Sequence, residues 1–476
     1  MQFTSFAYLG FFAAVFAVYW AAPARWRWAV GLAASLGFYA LFGLPMLAIL
    51  ALCIAVSYAG GLWLEKRRGQ KTVLALCVFA ALLPLLFFKY FDGLFGAYAP
   101  SAVRAFSLMM PVGLSFFTFK AVAYLAEVYK GTMDACRKPG HYALYVSFFP
   151  QVSMGPIQRP GELLGQICVP HEFDARQALG GAQILLWGYF EKLVVADNLV
   201  GFSAMGFDQP DQVIGCSVFL STVFYAVRLY ADFAGYSHIA IGCMRLLGFS
   251  APENFRAPYA STSVREFWNR WHISLSSWLR DYIYIPLGGS RRGTVRTCCN
   301  LLITFLVSGL WHGVGLQFVV WGLLHGCYLV IGRLTDSLRA RLWGRSPIPR
   351  ESLPGRAVRV AVTLMLVWVG WVFFAAGSLP QALAVFARMA DGFPYTLQTL
   401  KNGVTMLGFN QMMVLRVTIS VVPFFAVDLA ARREGAANWL PSQKKWLRLC
   451  LCYFALAAIF FNAPYEGVTD PIYFQF

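Results

Sequence analysis

The sequence predicts an all-α polytopic membrane protein with about eleven to thirteen membrane-embedded helices, some of them re-entrant. Of the 476 residues, 59% are apolar and only 13% are charged, whereas a soluble domain has about 25% charged residues. The apolar residues come in repeated blocks of about 20, the length that a helix needs to cross a bilayer. Transmembrane barrels instead alternate in runs of about ten residues. We find no internal repeat and no separate soluble domain, so residues 1–476 are expected to form one membrane-embedded domain.

The net charge of +17, from 39 basic and 22 acidic residues, is typical of a membrane protein with basic cytoplasmic loops. It therefore does not indicate binding to nucleic acid. Arg25 and Arg27 follow the first apolar segment, and no basic residue precedes it. This order predicts an uncleaved first helix with its N-terminus outside the cytoplasm. The eleven cysteines show no metal-ligand spacing, so neither a disulfide framework nor a metal site is expected.

Apolar segments and helix breakers divide the chain. Residues 109–129 form a segment that contains Lys120, which we expect to point at partners inside the helix bundle. Residues 145–164 contain three prolines, which forbid one regular helix and predict an irregular segment surrounded by protein. The other predicted spans lie at about 3–20, 28–43, 45–64, 72–90, 180–197, 213–232, 235–250, 357–377, 410–430 and 446–462, with loops at 333–355 and 380–402.

The stretch Thr297–Gly332 is the most unusual part of the chain, because it has no Asp, Glu, Lys or Arg over 36 residues. As one helix it would be about 54 Å long, yet it is slightly short for two full spans and a turn. Gly309, Gly313 and Gly315 lie near its middle. We therefore expect two short or tilted helices that meet at a glycine-rich break, with His312 at the junction. An imidazole at membrane depth is a functional candidate.

A second candidate, His272, lies in Val264–Pro286. At 100° per residue this stretch predicts one amphipathic helix in the membrane interface, with Glu266 and Arg270 paired on its polar face. A plain interfacial anchor would explain the tryptophans but not a histidine at the border of the aromatic face. The predicted aromatic face consists of Trp268, Trp271, Leu275, Trp278, Leu279 and Tyr282.

The next residues, Pro286–Gly293, form a glycine-rich turn with Arg291 and Arg292, and Arg296 follows. Backbone N–H groups and guanidinium groups in such a turn can hold a phosphate. A cytoplasmic loop would be basic in any case, so an ordinary loop remains the alternative.

The chemistry that one buried histidine can perform fits acyl transfer. The sequence contains no GxSxG, HExxH or Walker motif. A buried neutral imidazole such as that of His312 can act as a general base toward a hydroxyl, or it can carry an acyl group transiently. The residues leave both possibilities open, and they assign no role to His238 or His325.

Four sequence motifs, all within residues 145–332, resemble the membrane-bound O-acyltransferase family, and most closely its bacterial polysaccharide O-acetylation branch. One departure is His238, where an acidic or small residue is expected in several relatives. The four motifs, in the order in which the family has them, are SFFPQVSMGPIQRP (147–160), ADFAGYSHIAIG (231–242), NFRAPYASTSVREFWNRWHISLSSWLRDYIYIPLGGSRRG (254–293) and FLVSGLWHGVGLQFVVWGLLHG (305–326).

The resemblance implies a ring of helices around a thin central core, with His312 as the catalytic histidine and His272 as a second required residue. It further implies an inner-membrane subunit without a bound cofactor that takes acetyl from cytoplasmic acetyl-CoA. The acetyl group would pass across the membrane to an extracytoplasmic acetylesterase-like partner, which modifies alginate, cellulose or peptidoglycan.

Two other functions remain open. D-alanyl transfer to teichoic acid from a small carrier protein is the nearer one, since that family member shares the FWNRWH and DFAGYS words. A transporter or pore without chemistry is the other, but it predicts inverted repeats, which we do not find.

Overall fold

The structure is a computed structural model that describes residues 1–96, 98, 100–464 and 472. The described residues form helices and loops without a strand, and eight of these helices are long and apolar enough to cross a membrane. The predicted all-α polytopic membrane fold is confirmed. The α-helices are α1 (Phe6–Ala21), α2 (Arg27–Ala40), α3 (Leu44–Lys66), α4 (Lys71–Phe95), α5 (Ser101–Ser107), α6 (Leu114–Lys130), α7 (Pro139–Ser147), α8 (Phe149–Val152), α9 (Pro160–Cys168), α10 (Ala175–Tyr189), α11 (Val200–Asp208), α12 (Gly215–Leu246), α13 (Val264–Arg270), α14 (Ile273–Leu279), α15 (Thr294–His312), α16 (Leu316–Leu334), α17 (Asp336–Arg345), α18 (Leu353–Ala375), α19 (Leu379–Ala390), α20 (Leu397–Met406), α21 (Gln411–Ala430), α22 (Ala436–Ser442) and α23 (Lys445–Asn462).

The chain forms two compact units, residues 1–186 with 236–253, and residues 187–235 with 254–476. In the first unit α6 packs against α3 and α4, and α2 packs against α7. The broken segment between α7 and α9 is buried there, as predicted. Lys120 helps to hold this segment in place. Its ammonium group donates to the Tyr145 carbonyl (3.1 Å) and to Gln151 Oε1 (2.8 Å). Gln151 in turn donates to Gln158 (2.9 Å), so buried side-chain hydrogen bonds hold this irregular segment within the protein.

In the second unit α15 and α16 form a tightly packed helical hairpin, and α16 also packs against α18. The contact is close because glycines face it. A Cβ added at Gly309 would lie 2.3 Å from the Phe318 carbonyl oxygen, and one added at Gly322 would lie 2.4 Å from that of Phe305. Small residues of this kind let two membrane helices approach until their backbones touch.

Helix α12 corrects the prediction of two spans at 213–232 and 235–250, because it runs without interruption for 32 residues. Gly235 of this helix allows a close approach of another backbone: an added Cβ would lie 2.8 Å from the Gly188 carbonyl oxygen and 2.9 Å from the Lys192 nitrogen. Glycine inside a membrane helix therefore served packing, not a turn.

The two predicted loops at 333–355 and 380–402 also contain helices, namely α17, α19 and α20. In α19, Ser378 accepts a hydrogen bond from the Gln381 N–H (3.3 Å), and Ala382, Val385 and Met389 are buried at helical spacing. This cap and spacing were present in the sequence. The polarity of residues 380–402 outweighs this short apolar period, and for that reason the sequence predicts a loop there.

The glycine contacts between α15 and α16 predict the effect of one added methyl group. Gly322→Ala is expected to lower the free energy of unfolding by about 1–3 kcal/mol, because the methyl group meets a backbone carbonyl that cannot move aside. Gly332→Ala is the matched control on the same helix, since its methyl group would meet only the end of Arg339 at 4.0 Å. Denaturant unfolding in detergent measures both variants. A Gly322→Ala protein as stable as Gly332→Ala would contradict the close helix contact.

Candidate functional site

His312 is the last residue of α15, and residues 313–315 turn the chain into α16. The structure thus confirms two helices that meet at a glycine-rich break with His312 at the junction. The side chain of His312 is only 4% exposed, but Val314 and Leu316 in the adjacent turn are 50% and 65% exposed. The buried imidazole is therefore only two residues along the chain from an exposed side chain.

Aromatic rings surround His312. The ring centroids of Trp311, Trp321 and Phe374 lie 4.7, 5.0 and 4.9 Å from that of His312, all edge to face. Trp321 and Phe374 come from α16 and α18, so the helix hairpin and the neighbouring helix together hold the imidazole. Apolar rings at these distances fix the orientation of the imidazole and exclude bulk water from it.

His272 lies between α13 and α14 in a left-handed backbone conformation, with φ 42° and ψ 55°. Its side chain is 1% exposed, and Nδ1 lies 3.4 Å from Asn254 Oδ1. The same oxygen accepts hydrogen bonds from the backbone N–H (3.2 Å) and the hydroxyl (2.7 Å) of Ser274, which identifies it as the amide oxygen. Burial lowers the pKa of His272 to about 3, so its imidazole is neutral at pH 7.

This break corrects the prediction of one amphipathic helix over Val264–Pro286 in the membrane interface. Trp268, Trp271 and Trp278 are at most 9% exposed, so protein and not lipid surrounds them. The chain can leave the helix because residues 254–256 replace its hydrogen bonds: the Asn254 carbonyl accepts from the Ile273 N–H at 3.0 Å. The predicted ion pair of Glu266 with Arg270 is present at 2.8 Å.

The ADFAGYS motif of α12 also contacts His272. Phe233 packs edge to face on the His272 ring at 4.6 Å. The preceding residue, Asp232, pairs with the Lys192 ammonium group at 2.7 Å, which also pairs with Asp197 at 2.6 Å. All three charged side chains are at most 2% exposed. This buried ion cluster positions α12, and with it Phe233, against the π-helical segment Phe190–Ala196.

His325 belongs to the same group of rings, which the sequence did not reveal. Its ring is fully buried and lies 5.1 Å from both Trp268 and Trp321. Within the described part of the chain, neither ring nitrogen has a hydrogen-bond partner. Gly370 leaves the necessary room, since a Cβ there would lie 2.5 Å from His325 Nε2. We call the following residues the aromatic cluster: Trp268, Trp271, His272, Trp311, His312, Phe318, Trp321, His325, Trp371 and Phe374.

The cluster links the predicted site residues without direct contact between them. Trp311 lies 6.4 Å from His272 and 4.7 Å from His312, and Trp321 lies between His312 and His325. His238 belongs to the first unit, where its Nε2 is 3.8 Å from Glu253. Among the described residues, no group of three or more His, Cys, Asp or Glu side chains could hold a metal ion.

The three arginines of the glycine-rich loop lie at the opposite end of α15 from His312. All three are exposed. Gly288, Gly289 and Gly293 have positive φ angles, and Asn300 donates to the Gly289 carbonyl at 2.9 Å, which holds the loop. Sixteen residues separate Arg296 from His312, or about 24 Å along a helix. A single ligand that touched both ends of α15 would therefore be elongated.

Comparison with known proteins places the four sequence motifs in one family. A model of the membrane-bound O-acyltransferase family matches residues 139–370, which include all of them. The chain is 35% identical over 459 residues to a "Probable alginate O-acetylase" of Azotobacter vinelandii, covering 92% of this chain and 88% of that one. It is 32% identical to a "Peptidoglycan O-acetyltransferase" of Helicobacter pylori, covering 75% and 72%. A "Teichoic acid D-alanyltransferase" of Bacillus subtilis is 27% identical, covering 60% and 77%.

The left-handed backbone at His272 predicts which residues can replace it. We expect His272→Asn to be more stable than His272→Val by about 1–2 kcal/mol, because Asn tolerates a positive φ and a β-branched residue does not. Both variants lose the imidazole, so the comparison isolates the backbone. Thermal unfolding of the two purified proteins measures the difference. Equal stability would mean that His272 does not adopt this conformation.

Proposed function

The chain belongs to the membrane-bound O-acyltransferase family, and from this premise we propose that it transfers acetyl from cytoplasmic acetyl-CoA across the inner membrane for O-acetylation of an extracytoplasmic polysaccharide. That it is a multi-pass membrane O-acyltransferase follows from the family and from its apolar helices. The donor, the direction of transfer and the residues that act are the proposal. The observation that carries it is the single imidazole of His312, buried among aromatic rings beside an exposed turn.

His312 can serve the reaction in two ways, as a general base or as a transient carrier of the acetyl group. As a general base it takes the proton of the acceptor hydroxyl while the hydroxyl oxygen attacks the acetyl carbonyl, and the coenzyme A thiol leaves. As a carrier its ring nitrogen attacks the thioester, the thiol leaves, and the hydroxyl later removes acetyl from the imidazole. The surrounding rings favour either step, because water at this position would hydrolyse the activated acetyl group.

His272 is the second residue of the proposal. Its neutral imidazole, held by Asn254 on one side and Phe233 on another, lies one tryptophan away from His312. A ring that is neutral at pH 7 can donate from one nitrogen and accept at the other. We assign it the role of orienting the donor or sharing the proton transfer.

The basic loop supports entry of the donor at the far end of α15. Arg291, Arg292 and Arg296 are exposed there, and basic loops favour the cytoplasmic side. Acetyl-CoA is elongated, with phosphates at one end and the thioester at the other, so it suits a phosphate site that is distant from His312. The same orientation directs the turn at residues 313–315 toward the extracytoplasmic side, where an acetylesterase-like partner would receive the acetyl group.

The relatives support acetyl more than D-alanyl as the transferred group. The "Probable alginate O-acetylase" aligns with 92% of this chain at 35% identity, against 60% at 27% for the "Teichoic acid D-alanyltransferase". D-alanyl transfer from a carrier protein remains the second candidate, because the same FWNRWH and DFAGYS words serve both activities. No observation favours a pore without chemistry.

Replacing the buried imidazole tests the proposal. His312→Ala is expected to abolish acetylation of the cell's polysaccharides while the amount of protein in the membrane stays normal, since both proposed steps need a ring nitrogen. Mass analysis of exopolysaccharide and cell wall, with the gene deleted and complemented, measures acetyl content and would also reveal D-alanyl esters.

His171→Ala is the control, because it removes a histidine of the first unit to which the proposal gives no role. Near-normal acetylation by His312→Ala would refute the function of His312. A change in D-alanyl esters with unchanged acetyl would select the second candidate.

The donor site predicts a separate kinetic effect. Arg291→Gln together with Arg292→Gln is expected to raise the KM for acetyl-CoA about three- to tenfold and to leave kcat unchanged, because exposed charges would contact the phosphates far from the reacting carbon. Arg341→Gln with Arg345→Gln on α17 removes two equally exposed charges and is the control. A loss of kcat, or an equal effect of the control pair, would contradict a phosphate site in the loop.

A further inference from the structure

An apolar groove of about 950 Å³ lies in the second unit, lined by residues of α12, α18 and α21. Its walls are almost wholly hydrocarbon and aromatic. From Arg356 to Trp371 the groove follows α18 over fifteen residues, or about 22 Å. It is thus long enough to hold an extended hydrocarbon chain of one leaflet, since half of a hydrocarbon core is about 15 Å. Among its wall residues are Phe219, Val223, Val360, Leu364, Trp368 and Phe425.

The inner end of the groove is built by Tyr259 and Trp371. The Tyr259 hydroxyl donates to the Ala226 carbonyl (2.7 Å), and Trp368 Nε1 donates to Thr222 (3.0 Å), so both walls are tied to α12. Trp371 packs against Trp271 at 4.9 Å and against Phe374 at 5.6 Å. A molecule in the groove would therefore contact the outer side of the aromatic cluster.

The other end of the groove carries two cations. Arg356 lies in the first turn of α18 and Arg432 lies just after α21, and both are exposed. In the described part of the chain, no ion pair joins either guanidinium group to a carboxylate. Asp428 also lines the groove, and its carboxylate accepts hydrogen bonds from the Tyr230 hydroxyl (2.5 Å) and the Ala257 N–H (3.2 Å).

The surrounding sequence is basic at this end of the helices. Arg339, Arg341, Arg345 and Arg350 precede α18, and Arg433, Lys444 and Lys445 follow α21. Such an excess of positive charge favours the cytoplasmic side. Basic pockets between membrane helices on that side are suited to anionic lipid headgroups.

We propose that this groove binds one anionic phospholipid of the cytoplasmic leaflet, with its phosphate between Arg356 and Arg432. One acyl chain lies along α12 and α18 and ends against Tyr259 and Trp371. The apolar length of the groove selects a lipid over a soluble anion, and the two arginines select an anionic headgroup over a zwitterionic one. The proposal is independent of the donor and acceptor of the acyl group.

Binding of defined lipids to the purified full-length protein tests the site. Phosphatidylglycerol and phosphatidylcholine of equal chain length are titrated in detergent, and bound lipid is counted by native mass spectrometry. Wild type is expected to prefer phosphatidylglycerol. Arg356→Gln with Arg432→Gln should weaken phosphatidylglycerol about thirtyfold, which converts to about 2 kcal/mol at about 1.4 kcal/mol per factor of ten. The same variant should weaken phosphatidylcholine less, because the choline group offsets the charge of its phosphate.

Two further variants distinguish lipid binding in the groove from a general effect of positive charge on the protein surface. Arg341→Gln with Arg433→Gln removes two exposed arginines that do not line the groove, and it should bind as wild type does. Val223→Trp fills the groove and keeps both arginines, so it should weaken both lipids. Inorganic phosphate should not displace phosphatidylglycerol. Size-exclusion profiles and thermal unfolding confirm that each variant is folded.

Four results would overturn the proposal: equal affinity of wild type for the two lipids, equal losses in the two arginine pairs, wild-type binding by Val223→Trp, or displacement by inorganic phosphate. The first two would show that the arginines do not form a specific headgroup site. The last two would show that no acyl chain occupies the groove.

Discussion

The contact between α15 and α16 through Gly309 and Gly322 is the constraint on which the candidate site depends. The two backbones approach so closely that an added methyl group would reach a carbonyl oxygen of the other helix. This approach places Trp321 of α16 against His312 at the end of α15. If either helix moved outward by the width of a side chain, the imidazole would lose the rings that hold it and would face lipid or water.

A second constraint acts at His272, where a helix is interrupted at a buried position. A broken backbone in an apolar environment is tolerated only when other groups satisfy its hydrogen bonds. Asn254 supplies them, because its side chain and carbonyl bind the start of α14. The left-handed residue at this point costs about 1–2 kcal/mol, and such strain at a buried histidine is common at functional sites. The same chain segment thus shapes the backbone and orients the ring.

Particular residues show how far sequence reasoning reached. The break at His312 followed from the length of a charge-free stretch and its central glycines, both of which are local properties. Lys120 was expected to point at partners inside the helix bundle, and it donates to Tyr145 and Gln151. The helix over Val264–Pro286 was wrong, because a helical wheel cannot anticipate hydrogen bonds from Asn254. The two spans predicted at 213–232 and 235–250 were wrong as well, because these residues form one helix in which Gly235 gives space to Gly188 and Lys192.

The sequence by itself determined that this is a helical membrane protein, which family it resembles, and that a histidine lies at the glycine-rich break. These properties depend on hydropathy, helix length and residue order, which are set along the chain. Only the tertiary structure decided that His272, His312 and His325 share one aromatic cluster, and that an apolar groove ends at Trp371 beside it. These relations join residues that are far apart in sequence. They depend on side-chain packing between helices, whose direction and spacing no local pattern specifies.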